Sequence, residues 1–156
     1  MEWVITEVID LDHAWPDIAH LLLALHEHHL LLTGQRLLPE WAEKQKRHIE
    51  SMRQSGLSLL LLARSGPTAV GFIYGQITEN PTLFEERVGF IHDAFIAPEF
   101  RGSGLFSELL QAMETWFKTN SVPEVRLGVV AANEHARDIW QAKGYEILSE
   151  LRRKRL

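Results

Sequence analysis

Asp93-Ala-Phe-Ile-Ala-Pro-Glu-Phe-Arg-Gly-Ser-Gly-Leu-Phe-Ser107 is the stretch on which the fold turns. An extended segment ends at Pro98, and a short turn carrying Arg101, Gly102 and Gly104 follows. Leu105, Phe106, Leu109, Leu110, Met113, Trp116 and Phe117 then recur at helical spacing, which predicts an amphipathic helix over about Ser103 to Thr119. A strand passing through a glycine turn into a helix start aims several backbone N–H groups in one direction. Those donors and the positive end of the helix dipole suit an anion such as a pyrophosphate. Gly102 and Gly104 let a ligand approach the main chain, and Arg101 adds a full positive charge. The same two glycines also suit a tight strand-to-helix turn that holds no ligand, so the turn alone leaves both readings open.

Upstream, Glu2 to Val8 alternates and is rich in β-branched residues, which predicts a first strand. Asp12 to Pro16 offers helix-start chemistry, with Pro16 in the first turn. Ile18, Leu21, Leu22 and Leu25 mark the buried stripe of that helix, and Gly34 closes it. Pro39 opens a second helix with a thinner apolar face of Trp41, His48, Ile49 and Met52. Leu57 to Ala63 is an unbroken apolar run of strand length, as expected for a strand buried on both faces. Ser65-Gly66-Pro67 turns the chain into Ala69 to Thr78, giving an antiparallel hairpin. Asn80-Pro81 breaks it, Glu85-Glu86-Arg87 forms a solvated loop, and Val88 to Ala97 feeds the glycine turn.

Downstream, Val125 to Val130 is a further strand. Asn133 caps a short helix carrying Ala136, Ile139 and Trp140, and Gly144 ends it. Tyr145 to Arg155 alternates as a final strand. The order β-α-α-β-β-β-α-β-α-β is an α+β arrangement with a mixed sheet, and 156 residues without a repeat or linker predict one domain over 1–156.

Composition narrows the function. The chain has no cysteine, which excludes disulfides and thiol chemistry. A net charge of −5 argues against a nucleic-acid surface and fits a cationic acceptor such as an amine. No signal-peptide pattern or transmembrane-length run is present, so the expectation is a cytoplasmic protein with no membrane partner.

Two separated segments carry a family resemblance. D-x-x-I-x-P-E-F-R-G-S-G-L resembles the acetyl-CoA-binding signature of the GNAT superfamily of N-acetyltransferases, whose turn reads R/Q-x-x-G-x-G/A. Arg101 and Gly104 fill its first two places, and Phe106 stands where Gly or Ala is usual. Asn133 to Tyr145 is similar to the family's N-x-x-A-x-x-x-Y-x-x-x-G-F segment, with Trp140 at the tyrosine and Tyr145 at the phenylalanine. The element order matches as well.

The resemblance implies a mostly antiparallel central sheet flanked by helices, with two parallel strands splayed at a cofactor cleft. It implies acetyl-CoA as co-substrate. Backbone groups near Phe95, Ile96 and Ala97 would meet the pantetheine arm. The turn Arg101, Gly102, Ser103, Gly104, Leu105, Phe106 and Ser107 would hold the pyrophosphate, with Asn133 and Trp140 beside the cofactor. The reaction it implies is attack of a neutral amine, from a small molecule or a peptide, on the thioester. A backbone N–H near Ile96 would face the developing oxyanion.

A base must accept the amine proton. Asp93 is the first candidate; a salt-bridged or strand-end carboxylate is the alternative. In a regular strand His92 points to the opposite face, and a bulge would change which of the two faces the cleft. The family places the acceptor near the end of the first helix, which nominates Glu27, His28, His29 and, on the hairpin, Tyr74 with Gln76. His26 and His29 have i, i+3 spacing, but no partner motif follows, so no metal is expected. A homodimer through the final strand or the hairpin is a further implication of the resemblance. Trp140 lacks an acidic hydroxyl, and it keeps a second class of function open: a noncatalytic acyl-CoA-binding or regulatory module.

Overall fold

Among the described residues five strands form one sheet in the order β1-β2-β3-β4-β5. The computed structural model describes residues 1–79 and 87–156. β1 is Val4–Glu7, β2 Ser58–Ser65, β3 Thr68–Thr78, β4 Val88–Ile96 and β5 Glu124–Leu127. The pairs β1–β2, β2–β3 and β3–β4 are antiparallel, and β4–β5 is parallel. The helices are α1 Leu11–Thr33, α2 Trp41–Gln54, α3 Leu105–Thr119 and α4 Glu134–Ala142, with a 3₁₀ turn at Pro98–Phe100.

The apolar run of β2 sends alternate side chains to two cores. Leu59, Leu61 and Ala63 join Ile73, Ile77, Ile91, Leu105, Leu109, Met113 and Phe117 on the α3 face. Leu60 and Leu62 join Ile18, Leu21, Leu22, Ile49, Phe72 and Tyr74 on the face covered by α1 and α2. Burial on both faces explains why the run does not alternate in polarity. Close packing of α3 requires Gly75: a Cβ there would stand 2.5 Å from Met113 Sδ.

Several boundaries differ from the sequence reading. α1 starts earlier than Asp12, because the Asp10 carboxylate accepts a hydrogen bond from the His13 N–H at 3.0 Å. Pro16 therefore lies inside the helix. α2 begins at Trp41 rather than Pro39. β5 ends at Leu127, short of Val130, because Gly128 leaves the ladder. The expected final strand from Tyr145 to Arg155 does not form: residues 146–156 carry no regular structure and are exposed. The period-2 pattern is present, but no neighbouring strand supplies the ladder bonds. The expected break at Asn80-Pro81 and most of the loop Glu85-Glu86-Arg87 lie outside the described residues.

Candidate active site

β4 keeps its antiparallel partner along its whole length, through Ile96↔Gly71. Its parallel pairing with β5 stops at Ile91↔Leu127. From His92 to Ile96 the second edge of β4 has no strand partner among the described residues, so the two parallel strands splay as expected. Unpaired main-chain groups on such an edge accept an extended ligand as they would a strand.

A turn that fits an anion closes one end of this slot. Gly102 and Gly104 have φ of +73° and +98°, and nothing lies within 4 Å of a Cβ built on either. Gly104 caps α3 without a side chain of its own, at the helix end whose first-turn N–H groups have no intrahelical partner. Arg101 folds back: its Nε donates to Ile96 O at 3.1 Å, and its guanidinium lies 5.6 Å from the Phe95 ring centre. Ser103 Oγ donates to Phe100 O at 2.5 Å and accepts weakly from the Leu105 N–H. The Lys143 ammonium, just past α4, donates to Ser107 Oγ at 2.6 Å. This second cation beside the turn carries no motif signal, because it arrives from a separate helix.

Asn133 caps α4, its side chain accepting from Ala136 N–H at 3.1 Å. Trp140, on the same helix, meets Phe106 edge-to-face at 5.2 Å and Tyr145 at 5.1 Å. The Tyr145 hydroxyl donates to Glu114 at 2.8 Å. Burial, then this carboxylate, raise it above the ordinary phenol range.

Halfway along the slot the sheet changes phase. Tyr74 pairs with Asp93, but the next residue, Gly75, pairs with Ile91. His92 is the extra residue of a β-bulge, so His92 and Asp93 both face α1 and α2. His92 Nε2 lies 2.9 Å from Gln76 Oε1, and its ring stacks on Tyr74 at 5.5 Å. Desolvation, and then the charge of His48, lower its pKa although the side chain still meets solvent.

Asp93 receives the Gln45 amide at a long 3.5 Å, and Gln45 Oε1 is 2.9 Å from His26 Nε2. Desolvation raises the Asp93 carboxyl above the usual range, while a charge on His26 pulls it down. Tyr74 sits beside it, 3% exposed, its hydroxyl buried. Burial raises this phenol first, the nearby Ser58 hydroxyl opposes the rise, and the Asp93 charge adds to it.

Around α1 the face differs from the one expected. Glu27 and His28 are exposed, whereas His26 and His29 turn inward. His26 packs edge-on against Trp41 at 5.3 Å. A cavity of about 460 Å³ is lined by His26, His29, Leu30, Thr33, Gln35, Arg36 and Leu37. Desolvation lowers His29, and the charges of His26 and His28 lower it further. The sequence nominated His29 for the acceptor side and weighed His26 only as half of a metal pair, and Gln45 carried no signal. For His26 the signal was there, since it lies one turn past Leu22 on the buried stripe.

The acetyltransferase (GNAT) family model matches residues 15–145. The chain belongs to this family. It is 28% identical over 85 residues to the thialysine N-epsilon-acetyltransferase of Bos taurus, a match covering 54% of this chain and 49% of that protein. The chain thus matches only about half the length of this curated relative. The BH1408 protein of Bacillus halodurans, in a tetramutant form, has the same fold, with a TM-score of 0.81 at 18% identity and full coverage of both chains. An aminoglycoside acetyltransferase, AAC(6')-Iy in complex with a bisubstrate analogue of CoA and acetylneamine, also superposes, with a TM-score of 0.72 at 18% identity and full coverage of both. Among the described residues no helix is long and apolar enough to cross a membrane.

Proposed function

We propose that this chain, acting as a single domain, moves an acetyl group from acetyl-CoA to a primary amine of a small molecule or peptide. The observation that carries the reading is the open edge of β4. It leads from the glycine turn at Gly104 to the half-buried, desolvated carboxylate of Asp93. The residues fit the cofactor: helix N–H groups with Arg101 and Lys143 suit a pyrophosphate, and the β4 edge at Phe95, Ile96 and Ala97 suits an amide-bearing arm. Asn133 and Trp140 flank that arm from α4.

Bound acetyl-CoA supplies a thioester carbonyl to the attacking amine. The main-chain edge near Ile96 offers an N–H to the carbonyl oxygen. The amine nitrogen forms the new bond to carbon as the C–S bond breaks, and Asp93 takes the amine proton. A carboxylate raised by desolvation is a stronger base than one in water. Gln45 and His26 position it. Trp140 has an indole N–H and no acidic hydroxyl, so the thiolate leaves without protonation from this position.

His26, His29 and Tyr74 border the acceptor side in this reading; Glu27 and His28 lie at its rim. Two relatives, a thialysine N-epsilon-acetyltransferase and an aminoglycoside N-acetyltransferase, favour small amines. A cytoplasmic location belongs to the same reading.

The second reading, a noncatalytic acyl-CoA binder, rests on Trp140 and on the engagement of the Tyr145 hydroxyl with Glu114. Acetyl-CoA with a panel of amines, followed by mass spectrometry of the products, separates the two. An acetylated amine establishes transfer. Tight CoA binding with no product from any amine favours the binder. ATP competing as well as CoA would overturn both.

A further inference from the structure

The cavity of about 460 Å³ at the close of α1 has a charged wall, an apolar wall and a way through to Asp93. His26 lines it and reaches Asp93 through the single amide of Gln45, by steps of 2.9 and 3.5 Å. Leu30 and Leu37 supply the apolar wall. Thr33 stands about 10 Å farther along the α1 axis than His26, and Arg36 follows it in the loop. Among the described residues no carboxylate lines this cavity, and Arg36 has no ion-pair or hydrogen-bond partner.

The chain carries a net charge of −5, yet its surface here is basic. The charges that press on His29 are those of His26 and then His28, both positive. Arg153 of the C-terminal tail, residues 146–156, donates to Thr33 O at 2.8 Å. Arg155 Nη2 lies 3.3 Å from where a Cβ on Gly34 would stand. The negative end of the α1 dipole opposes an anion at this place, but its carbonyls are already met. Leu30 O accepts from the Gly34 N–H at 2.8 Å, His29 O from the Thr33 hydroxyl at 2.8 Å, and Thr33 O from Arg153. The charge left over on the cavity wall is that of Arg36.

A bare alkylammonium entering here passes a guanidinium and meets no counter-charge before Asp93. An amine that brings its own anion meets an opposite charge at each end. We propose that the acceptor is a small aliphatic amine with a carboxylate at its far end, the carboxylate held by Arg36 and the amine delivered to Asp93. This rests on the acetyl-transfer reading of the site. A carboxylate matches the planar fork of a guanidinium, and Gln35 adds a side-chain amide on the same wall. Leu30 and Leu37 suit the methylene spacer. The length of the cavity selects among amino acids. An α-amino group shares a carbon with its carboxylate and cannot span from Asp93 to the loop, whereas an ω-amino group can.

The test uses aminocaproate and its neutral amide, which share length and amine and differ in one charge. With acetyl-CoA, wild type should show a KM for aminocaproate about tenfold or more below that for the amide. Arg36→Gln should raise the aminocaproate KM until the two agree. Arg36→Lys, charged but without the fork, should restore part of the gap. Arg36 is exposed, so neither change disturbs a packed core. Equal KM values in wild type, a preference for the amide, or acetylation of other amines and neither probe overturns the proposal and leaves acetyl transfer standing. If no amine is acetylated, the transfer reading fails, and calorimetric titration of both probes into CoA-saturated protein decides the cavity by itself. Tighter binding of aminocaproate, lost in Arg36→Gln, keeps Arg36 as the carboxylate site. Equal or absent binding overturns it.

Discussion

Phe106, at the first turn of α3, and Trp140, at the end of α4, meet edge-to-face at 5.2 Å with their planes 85° apart. These are two of the three positions where the chain departs from the patterns its motifs resemble, and Tyr145 is the third. The departures touch, so they make one structural change. A ring fills the space beside the glycine turn, and a second ring packs on it at the position of the motif's tyrosine. Trp140 also meets Tyr145, whose hydroxyl is held by Glu114, so three aromatic rings join α3, α4 and the start of the tail.

The pair should be coupled. Phe106→Ala and Trp140→Ala should each destabilise the fold by about 1–3 kcal/mol. The double variant should recover roughly 0.5–1.5 kcal/mol of the summed loss, the usual worth of an aromatic pair. Urea unfolding of the four proteins checks this, and strict additivity would mean that the contact contributes nothing. Single-turnover acetyl transfer tests the chemistry. Wild type should transfer without an acid at this position, because a thiol of pKa about 8.5 leaves readily as thiolate. If wild type binds acetyl-CoA without transfer and Trp140→Tyr switches transfer on, the noncatalytic reading wins.

Gly104 has φ of +98° and caps α3 without a side chain of its own. Gly104→Val should therefore weaken CoA binding by far more than backbone strain lowers stability. Titration calorimetry with CoA, set against a melting curve, measures both. Unchanged affinity in a folded variant would remove this turn from the cofactor site.

The parts legible in sequence are those set by short-range pattern. The unbroken run of β2, the stripe of α3 and the caps at Gly34 and Asn133 needed only periodicity and capping chemistry. The parts that were not legible depend on partners or on one-residue phase. Sequence alternation is blind to the extra residue at His92, which appears only where β3 stays in step and β4 does not. One residue on a helix is a 100° turn, so His26 faces Gln45 while Glu27 and His28 face solvent. Lys143 reaches Ser107 from another helix. The tail had the pattern of a strand but lacked the neighbour that makes one.

Asp93 should report its environment through pH. Its folded pKa is raised, chiefly by desolvation, so the folded state binds the proton more tightly than the unfolded chain. Its burial therefore costs stability above the folded pKa, and that cost fades as pH falls toward the unfolded value near 3.9. Asp93→Asn should raise the melting temperature at neutral pH, with a gain that shrinks on acidification. The same variant should lower turnover roughly 10²–10⁴-fold with CoA affinity nearly intact. His26→Gln removes the charge that lowers the carboxyl, so the acid limb of kcat/KM should move to higher pH. Full activity of Asp93→Asn across the pH range would end its assignment as base.

Lys143 gives the most selective test of the phosphate end. Its ammonium holds Ser107 Oγ at 2.6 Å in the first turn of α3, where a pyrophosphate would meet the helix N–H groups. If the cation serves the phosphates, its contribution follows charge and not shape. Lys143→Met keeps the length of the side chain and removes the charge. It should weaken CoA about tenfold or more, the usual size of a charge-assisted hydrogen bond. The loss should shrink as salt rises, because the site lies near the surface. Acetyl-pantetheine, which has the thioester arm and no pyrophosphate, should bind wild type and variant alike. A loss of equal size for both ligands would mean that Lys143 merely braces α4 against α3, whereas a loss confined to CoA places the phosphates at this turn.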